Sequence, residues 1–381
     1  MKQGWEYKKL GEVCHITMGQ SPDGNSINDN EGVEFHQGKT CFGEQTLGVS
    51  NLFSNAPVKL AEAHSVLLCV RAPVGYPNIT ERKICIGRGL CALYAKEDID
   101  NKFLFYSLLS KQSHFEKNAT GSTFKAISSK VVSNTEIPIP PKSTQLAIVS
   151  ELDKINELIR IKKEQLKDYD NLAQSIFYEM FGDPVENDKG FDTKRLDEVF
   201  PLITDGTHQT PTYTEDRENG YKFLSAKDVT SGSINWNNVK FIPAWLHDNL
   251  SKRLKPQKND ILLCKNGTTG ICALVEDDDT FDIYVSLALL RPNNLHNPKY
   301  LTYAINSPAT KRQFDDSLKG IGVPNLHLKE IRRTIIIIPP LPLQQLFAQR
   351  IEQIERQKSA VAKAITDLET LLASRMQHWF E

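Results

Sequence analysis

The chain has 381 residues, 24% charged and 40% hydrophobic, with a net charge of −1. That length sets an expectation of two domains, each able to bury its own core, and the near-zero charge excludes a polycation that binds by bulk attraction. No apolar run approaches the ~20 residues of a membrane helix, and the polar, mixed-charge start from Met1 to Val13 is not a secretory pattern, so a cytoplasmic protein is expected.

From the N-terminus, Trp5 to Val13 opens a β-rich stretch that runs to residue 141. Gln20-Ser21-Pro22-Asp23-Gly24-Asn25 is a turn-rich loop. Val66 to Val70 is a short apolar strand, stopped by Arg71-Ala72-Pro73-Val74-Gly75. Ile84-Cys85-Ile86 leads through Gly87-Arg88-Gly89 into a further strand from Leu90 to Leu93. Asn101 to Lys117 reads as one helix, with Phe103, Tyr106, Leu109 and Ser113 turned inward. After a loop at Thr120 to Thr123, a strand at Glu136 to Ile139 hands over to Pro140-Pro141.

Two prolines suit the first turn of a helix and cannot continue a strand ladder. Beyond them, Ile148, Leu152, Ile155, Ile159, Lys162, Leu166, Tyr169, Ala173, Ile176 and Met180 alternate four and three apart, with no Pro or Gly between. That is a coiled-coil seam. Ser143 to Phe181 forms a rod of roughly 58 Å at 1.5 Å per residue.

The same passage recurs. Subtracting 140 from 339, 145 from 344, 152 from 351 and 181 from 380 gives 199 each time. The second seam is Phe347, Ile351, Ile354, Lys358, Val361, Ile365, Leu368, Leu372, Arg375 and Trp379. The globular parts repeat too, with drifting offsets: Leu67-Leu68-Cys69 returns as Leu262-Leu263-Cys264, and Tyr106 as Tyr303. A tandem duplication results. Its fold class is α+β: two β-rich globular domains (residues 1–141 and 183–340), each followed by a long helix (residues 142–182 and 341–381). The frame is constant and the loops differ.

The seven cysteines form no Cys-x-x-Cys, and several sit inside apolar strands. Reduced, buried thiols are expected, with no metal site. Gly32 to Thr40 mimics a phosphate-binding loop but has one residue too many and no strand–loop–helix context. Gly87-Arg88-Gly89 lacks the third glycine of a dinucleotide fingerprint. Asp205-Gly206-Thr207-His208 reads as a turn rather than acid–base chemistry. Neither Asn-Pro-Pro-aromatic nor Asp-Pro-Pro-aromatic occurs, so the chain is expected to have no chemistry of its own.

In order and in duplicate, these pieces resemble the specificity subunit of type I restriction-modification systems. The resemblance is carried by Trp5-x-x-x-x-Leu10-Gly11-Glu12-Val13, Arg71-Ala72-Pro73-Val74-Gly75, Ile86-Gly87-Arg88-Gly89, Gly121-Ser122-Thr123, the Ile-Pro-x-Pro-Pro and Ile-x-x-Pro-Pro entries to the helices, and Phe181-Gly182-Asp183-Pro184. It covers essentially the whole chain. It implies two target recognition domains that read a bipartite, gapped site on double-stranded DNA. It also implies two copies of an adenine-methylating subunit that binds S-adenosylmethionine, and a translocating restriction subunit that can join. The second helix must run back along the first to bury its seam, giving an antiparallel coiled coil with pseudo-two-fold symmetry. Seam residues are Leu152, Ile155, Ile159 and Leu166 against Ile351, Ile354, Val361, Ile365 and Leu368. Since a duplex rises ~3.4 Å per base pair, such a rod can hold two readers over separate half-sites.

On that reading Lys39, Arg71, Arg88, Lys125, Lys227, Lys265 and Lys319 are candidates for phosphates or guanines. Gln20, Gln37, Thr207, His208 and Asn266 carry donors and acceptors suited to base edges. Ser21, Thr123 and Thr268, in the same loops, complete the set. The second domain has Lys265-Asn266-Gly267-Thr268-Thr269-Gly270 where the first has its Arg-Ala-Pro-Val-Gly loop, so contacts cannot be copied between halves. Two other readings stand beside this one: a stand-alone DNA-modifying enzyme, and a coiled-coil scaffold that does not bind DNA.

Overall fold

The computed structural model describes residues 4–121, 125–229, 232–318 and 324–380. It divides into two compact units. One comprises Met1–Glu164 with Val361–Glu381, the other Gln165–Ala360.

In the first unit a four-stranded sheet has the order Cys14–Met18, Leu90–Ala95, Val66–Cys69, Pro77–Ile79, with antiparallel neighbours. Side chains alternate faces along a strand, and the two faces enter different cores. Val66, Leu68, Cys91 and Leu93 join a cluster with Phe103, Tyr106 and Phe115. Leu67, Cys69, Leu90 and Ala92 join one with Ile84 and Ile86. The unbroken apolar runs in the sequence are therefore central strands covered on both sides. A five-stranded sheet carries Val33–His36 parallel to Ile84–Ile86.

The second unit repeats this frame. Its sheet runs Leu202–Asp205, Leu287–Arg291, Ile261–Cys264, Cys272–Leu274. Ile261, Leu263, Ala288 and Leu290 face one core, and Leu262, Cys264, Leu287 and Leu289 face another. A smaller sheet pairs Tyr221–Leu224 with Lys240–Ile242 and, in parallel, with Phe281–Ile283. In each unit the strand before the Pro-Pro pair is antiparallel to an early strand: Glu136–Ile139 to Glu6–Lys9, and Ile335–Ile338 to Asp192–Arg195.

The expected single helix from Asn101 to Lys117 is two, Asn101–Ser110 and Gln112–Lys117. Lys111 leaves helical geometry (φ −94°, ψ 7°), and its N–H bonds back to Leu108 and Leu109. The break shifts the inward face. Ser113 is exposed and Phe115 takes the buried place, while Leu109 is half-buried. The first helix is capped by Asp100, which accepts from the N–H groups of Lys102 and Phe103. Asn297 caps Pro298–Ile305 in the same way.

The long helices are Lys142–Phe181 and Leu341–Phe380, 40 residues each. Every position of the two seams is buried or half-buried: Leu152, Ile155, Ile159, Ile351, Ile354, Val361 and Ile365 are buried, Leu166 and Leu368 partly so. Within the first unit Glu151 meets Arg375 and Lys163 meets Glu369. Within the second, Asp170 meets Lys358 and Glu179 meets Arg350. Numbers rise on one helix as they fall on the other, so in each unit the pairing is antiparallel. Trp379 stacks on Trp5 with ring centres 6.2 Å apart and donates its indole N–H to Glu151 at 2.9 Å. In the second unit Phe177 and Phe181 pack on Phe347 and Tyr300.

All seven cysteines are free, and all but the half-buried Cys41 are buried. Burial pushes the Cys14, Cys69, Cys91 and Cys264 thiols up to about 12. No cluster of side chains fit to hold a metal occurs among the described residues. No helix among them is long and apolar enough to cross a membrane.

Candidate nucleic-acid interface

Five loops at one edge of the first unit are laced together by their backbones. Gly19 and Gln20 donate to Leu90 O and Ile86 O at 2.9 and 3.0 Å, and Gly87 donates to His36 O at 2.7 Å. Val70 donates to Gly89 O at 2.9 Å, Ile127 to Val70 O at 2.9 Å, and Ala72 to Lys125 O at 3.0 Å. Such close approach requires glycine: a Cβ on Gly19 would sit 2.1 Å from Gly87 O, and one on Gly89 2.2 Å from Gln37 O. The turn residues scattered along the sequence thus form one surface. Gln20, Gln37, Lys39, Arg71, Arg88 and Lys125 are all exposed on it.

Gln20, Ser21 and Arg88 line an open groove of about 610 Å³ together with Lys59. Ser21 Oγ is buried there without a hydrogen-bond partner. Lys59 was not among the sequence candidates. Its carbonyl accepts the Ile86 N–H at 2.9 Å, which ties it to the same edge. No local sequence signal marks it, because the pairing that brings it there is long-range. Lys39 Nζ lies 3.5 Å from the centre of the Tyr76 ring. The stretch from Gly32 to Thr40 holds the strand Val33–His36 and one 3₁₀ turn, Lys39–Cys41, rather than a strand–loop–helix.

Beneath Gln37 the frame is anchored by Glu34. Arg82 Nε and NH2 donate to its two oxygens at 2.5 and 2.6 Å, the Ser50 N–H at 2.7 Å, and His36 Nε2 lies 2.8 Å away. Burial raises the Glu34 carboxyl, but the bonds from Arg82, Ser50 and His36 outweigh it and hold it down at about 2. Burial pushes the His36 imidazole below its usual value, with Glu34 opposing.

The second unit repeats the lacing bond for bond. Gly206 donates to Leu287 O at 3.2 Å, Thr207 to Ile283 O at 3.0 Å, Lys265 to Ser286 O at 2.9 Å and Leu326 to Lys265 O at 2.7 Å. Gly206 has the same reason to be glycine, since its Cβ would meet Ile283 O at 2.1 Å. Matching the two patterns makes Gln20 equivalent to Thr207, Val70 to Lys265, Arg71 to Asn266 and Ala126 to Asn325. Arg71 forms an isolated bridge with Ala126, as Asn266 does with Asn325.

His208, Lys227 and Thr268 are exposed at this edge, and Thr207 and Asn266 are half-buried. Asn266 Oδ1 and Asn325 Oδ1 are buried with no partner. Arg253, which the sequence reading missed, donates to Asp205 O at 2.8 Å. The expectation that Lys265 is an open loop cation is corrected. It is 6% exposed, and its Nζ donates to Asp205 Oδ2 at 2.7 Å. It occupies the inward position that Val70 holds in the first unit, so its charge is used internally. Thr123 and Lys319 lie outside the described residues.

A family model described as the type I restriction modification DNA specificity domain matches residues 2–168 and again 188–370. Over 178 residues the chain is 39% identical to a putative type I restriction enzyme MjaX specificity subunit of Methanocaldococcus jannaschii, a match spanning 46% of this chain and 42% of that protein. It is 23% identical over 379 residues to the type I restriction enzyme MjaIX specificity subunit of the same organism, covering 92% of this chain and 86% of that one. The solved type I restriction-modification S subunit of M. genitalium shares the fold, with a TM-score of 0.57 at 16% identity over 100% of this chain and 98% of that one.

Proposed function

The chain belongs to the family of the type I restriction modification DNA specificity domain, and on that premise we propose that it reads a bipartite, gapped site on double-stranded DNA and directs the chemistry of other subunits to it. One observation carries the reading. Two edges share one hydrogen-bonded frame yet present different side chains: Gln20, Arg71 and Arg88 on one, Thr207, Asn266 and Val285 at the equivalent places on the other. A frame held constant while its tips vary is what two independent readers need. Exposed cations at each edge suit phosphates. The unpartnered Ser21 Oγ, Asn266 Oδ1 and Asn325 Oδ1 are groups that a bridging water, or a base edge once the loop tips shift on binding, can satisfy.

In this reading the chain is a non-catalytic recognition subunit. The partners are two copies of an adenine-methylating subunit, which binds S-adenosylmethionine, and a translocating restriction subunit.

The test is selection of the full-length protein on random-sequence duplexes at two salt concentrations. Enrichment of a two-part motif with an unspecified spacer, weakened by salt, is the expected result. Incubating the purified chain alone with methyl donor and DNA addresses the enzymatic reading, which methylation or cleavage without a partner would revive. Absence of any salt-dependent DNA binding would favour the scaffold reading.

A further inference from the structure

At the base of the second edge an ion pair stands where the first has apolar side chains. The registers fix the correspondence. Cys91 lies opposite Met18 on one neighbour and Leu68 on the other, while Ala288 lies opposite Asp205 and Leu263. Met18 therefore corresponds to Asp205, as Val70 does to Lys265. Val70 is buried in an apolar cluster of the first unit, and the half-buried Met18 packs against that cluster. Asp205 and Lys265 are 8% and 6% exposed and paired at 2.7 Å.

The frame does not require this pair, because the first unit builds the same lacing without it. A buried ion pair is also a poor way to stabilise a fold relative to apolar side chains of similar size. What the pair adds is connection to the loop tips. Asp205 Oδ2 also faces His208 Nε2 at 3.2 Å. An ionised carboxylate only accepts, so in this contact His208 Nε2 carries the proton. The Asp205 carbonyl holds the Arg253 guanidinium at 2.8 Å. Lys265 immediately precedes Asn266, and the Lys265 carbonyl takes the Leu326 N–H at 2.7 Å, next to Asn325. Burial raises the Asp205 carboxyl, but the hydrogen bonds and charges of Lys265 and His208 together outweigh it and hold it below its usual value.

We infer that Asp205 and Lys265 are positioning residues for the second edge: their buried pair sets the placement of His208 and Asn266, and through them the sequence preference of one half-site. This rests on the DNA-reading function proposed above. The positions themselves need touch no base.

The first unit supplies the test. Lys265→Val alone strands a buried carboxylate and should lower the melting temperature of the full chain. Adding Asp205→Met recreates the Met18/Val70 arrangement and should restore melting to near wild type. Both proteins are then selected on random-sequence duplexes. The double variant should keep the first half-site of the wild-type motif and lose enrichment of the second by about tenfold or more, the size of one or two lost base contacts. A double variant that enriches the full wild-type motif would overturn the inference, leaving the pair a structural substitution. So would failure of the second substitution to recover the melting temperature, since the pair would then not stand in for Met18 and Val70. If the wild-type chain itself enriches no motif, the recognition function fails first, an outcome distinct from either.

Discussion

Gln145 Oε1 accepts the backbone N–H of Asp100 at 2.9 Å from a fully buried position. Its Nε2 donates to Asp98 O at 2.9 Å and Pro140 O at 3.0 Å. One amide thus ties the proline entry of the long helix to the cap of the helix Asn101–Ser110. Gln344, also fully buried, does the same with Asn297 N–H at 2.9 Å and Pro339 O at 2.8 Å. Leucine at either position leaves buried backbone groups unpaired, at about 1–3 kcal/mol each. Gln145→Leu should raise hydrogen exchange in Asn101–Ser110 and leave Pro298–Ile305 unchanged, and Gln344→Leu the reverse. Equal effects in both helices would mean that the amides do not act locally.

Ile155 and Ile354 are both 7% exposed and sit at equivalent seam positions. Aspartate at either place buries an unpaired charge, a loss on the order of 3–5 kcal/mol. Leu158, three residues from Ile155, is 46% exposed, and Leu158→Asp should change stability by about 0.5 kcal/mol or less. Thermal melting by circular dichroism separates them. Similar losses for Ile155→Asp and Leu158→Asp would remove the seam from the account of stability.

Glu34 gives the first unit an acid dependence. Its folded carboxyl lies at about 2 against an ordinary 4.5. A depressed value means stability that is full above pH 4.5 and lost as pH falls toward 2. With its side chain 11% exposed, the contribution is on the order of 3 kcal/mol. Glu34→Gln cannot titrate, so it should trail the wild type in urea midpoint at pH 7, and the gap should close between pH 4.5 and 2. A gap independent of pH over that range would show that the Arg82 pairing is not the source.

The long helices were legible because a seam is a local pattern with a fixed period, and its repetition at a constant offset doubles the signal. The central strands were legible as apolar runs, though not that their alternate residues feed two cores. The break at Lys111 was not, because nothing in Leu109-Ser110-Lys111-Gln112 interrupts the helical pattern. At the candidate interface, residue type and loop location found most of the exposed tips. Lys265 went wrong for a physical reason. A lysine after an apolar strand reads as the start of a loop, and its burial depends on Asp205, 60 residues away. Lys59 and Arg253 are likewise set by long-range pairing.

If the two edges read DNA as proposed, their equivalent positions should read different bases. Arg71 and Asn266 each follow the residue whose N–H bonds to Gly89 O or Ser286 O, and each bridges to the matching partner, Ala126 or Asn325. They occupy one position in two copies of one edge. Their chemistry differs: a guanidinium suits the two acceptors of guanine, an amide the donor and acceptor of adenine. Arg71→Ala should therefore weaken binding by about 1–3 kcal/mol and relax one base position in one half-site. Asn266→Ala should relax a base position in the other half-site and leave the first unchanged. Exchanging residues 1–141 for those of another member of the family should replace only the half-site that Arg71→Ala affects. Each protein is selected on random-sequence duplexes and the enriched motifs are compared. If Arg71→Ala and Asn266→Ala degrade the same half-site, the two edges do not act as separate readers, and the equivalence carries no functional meaning.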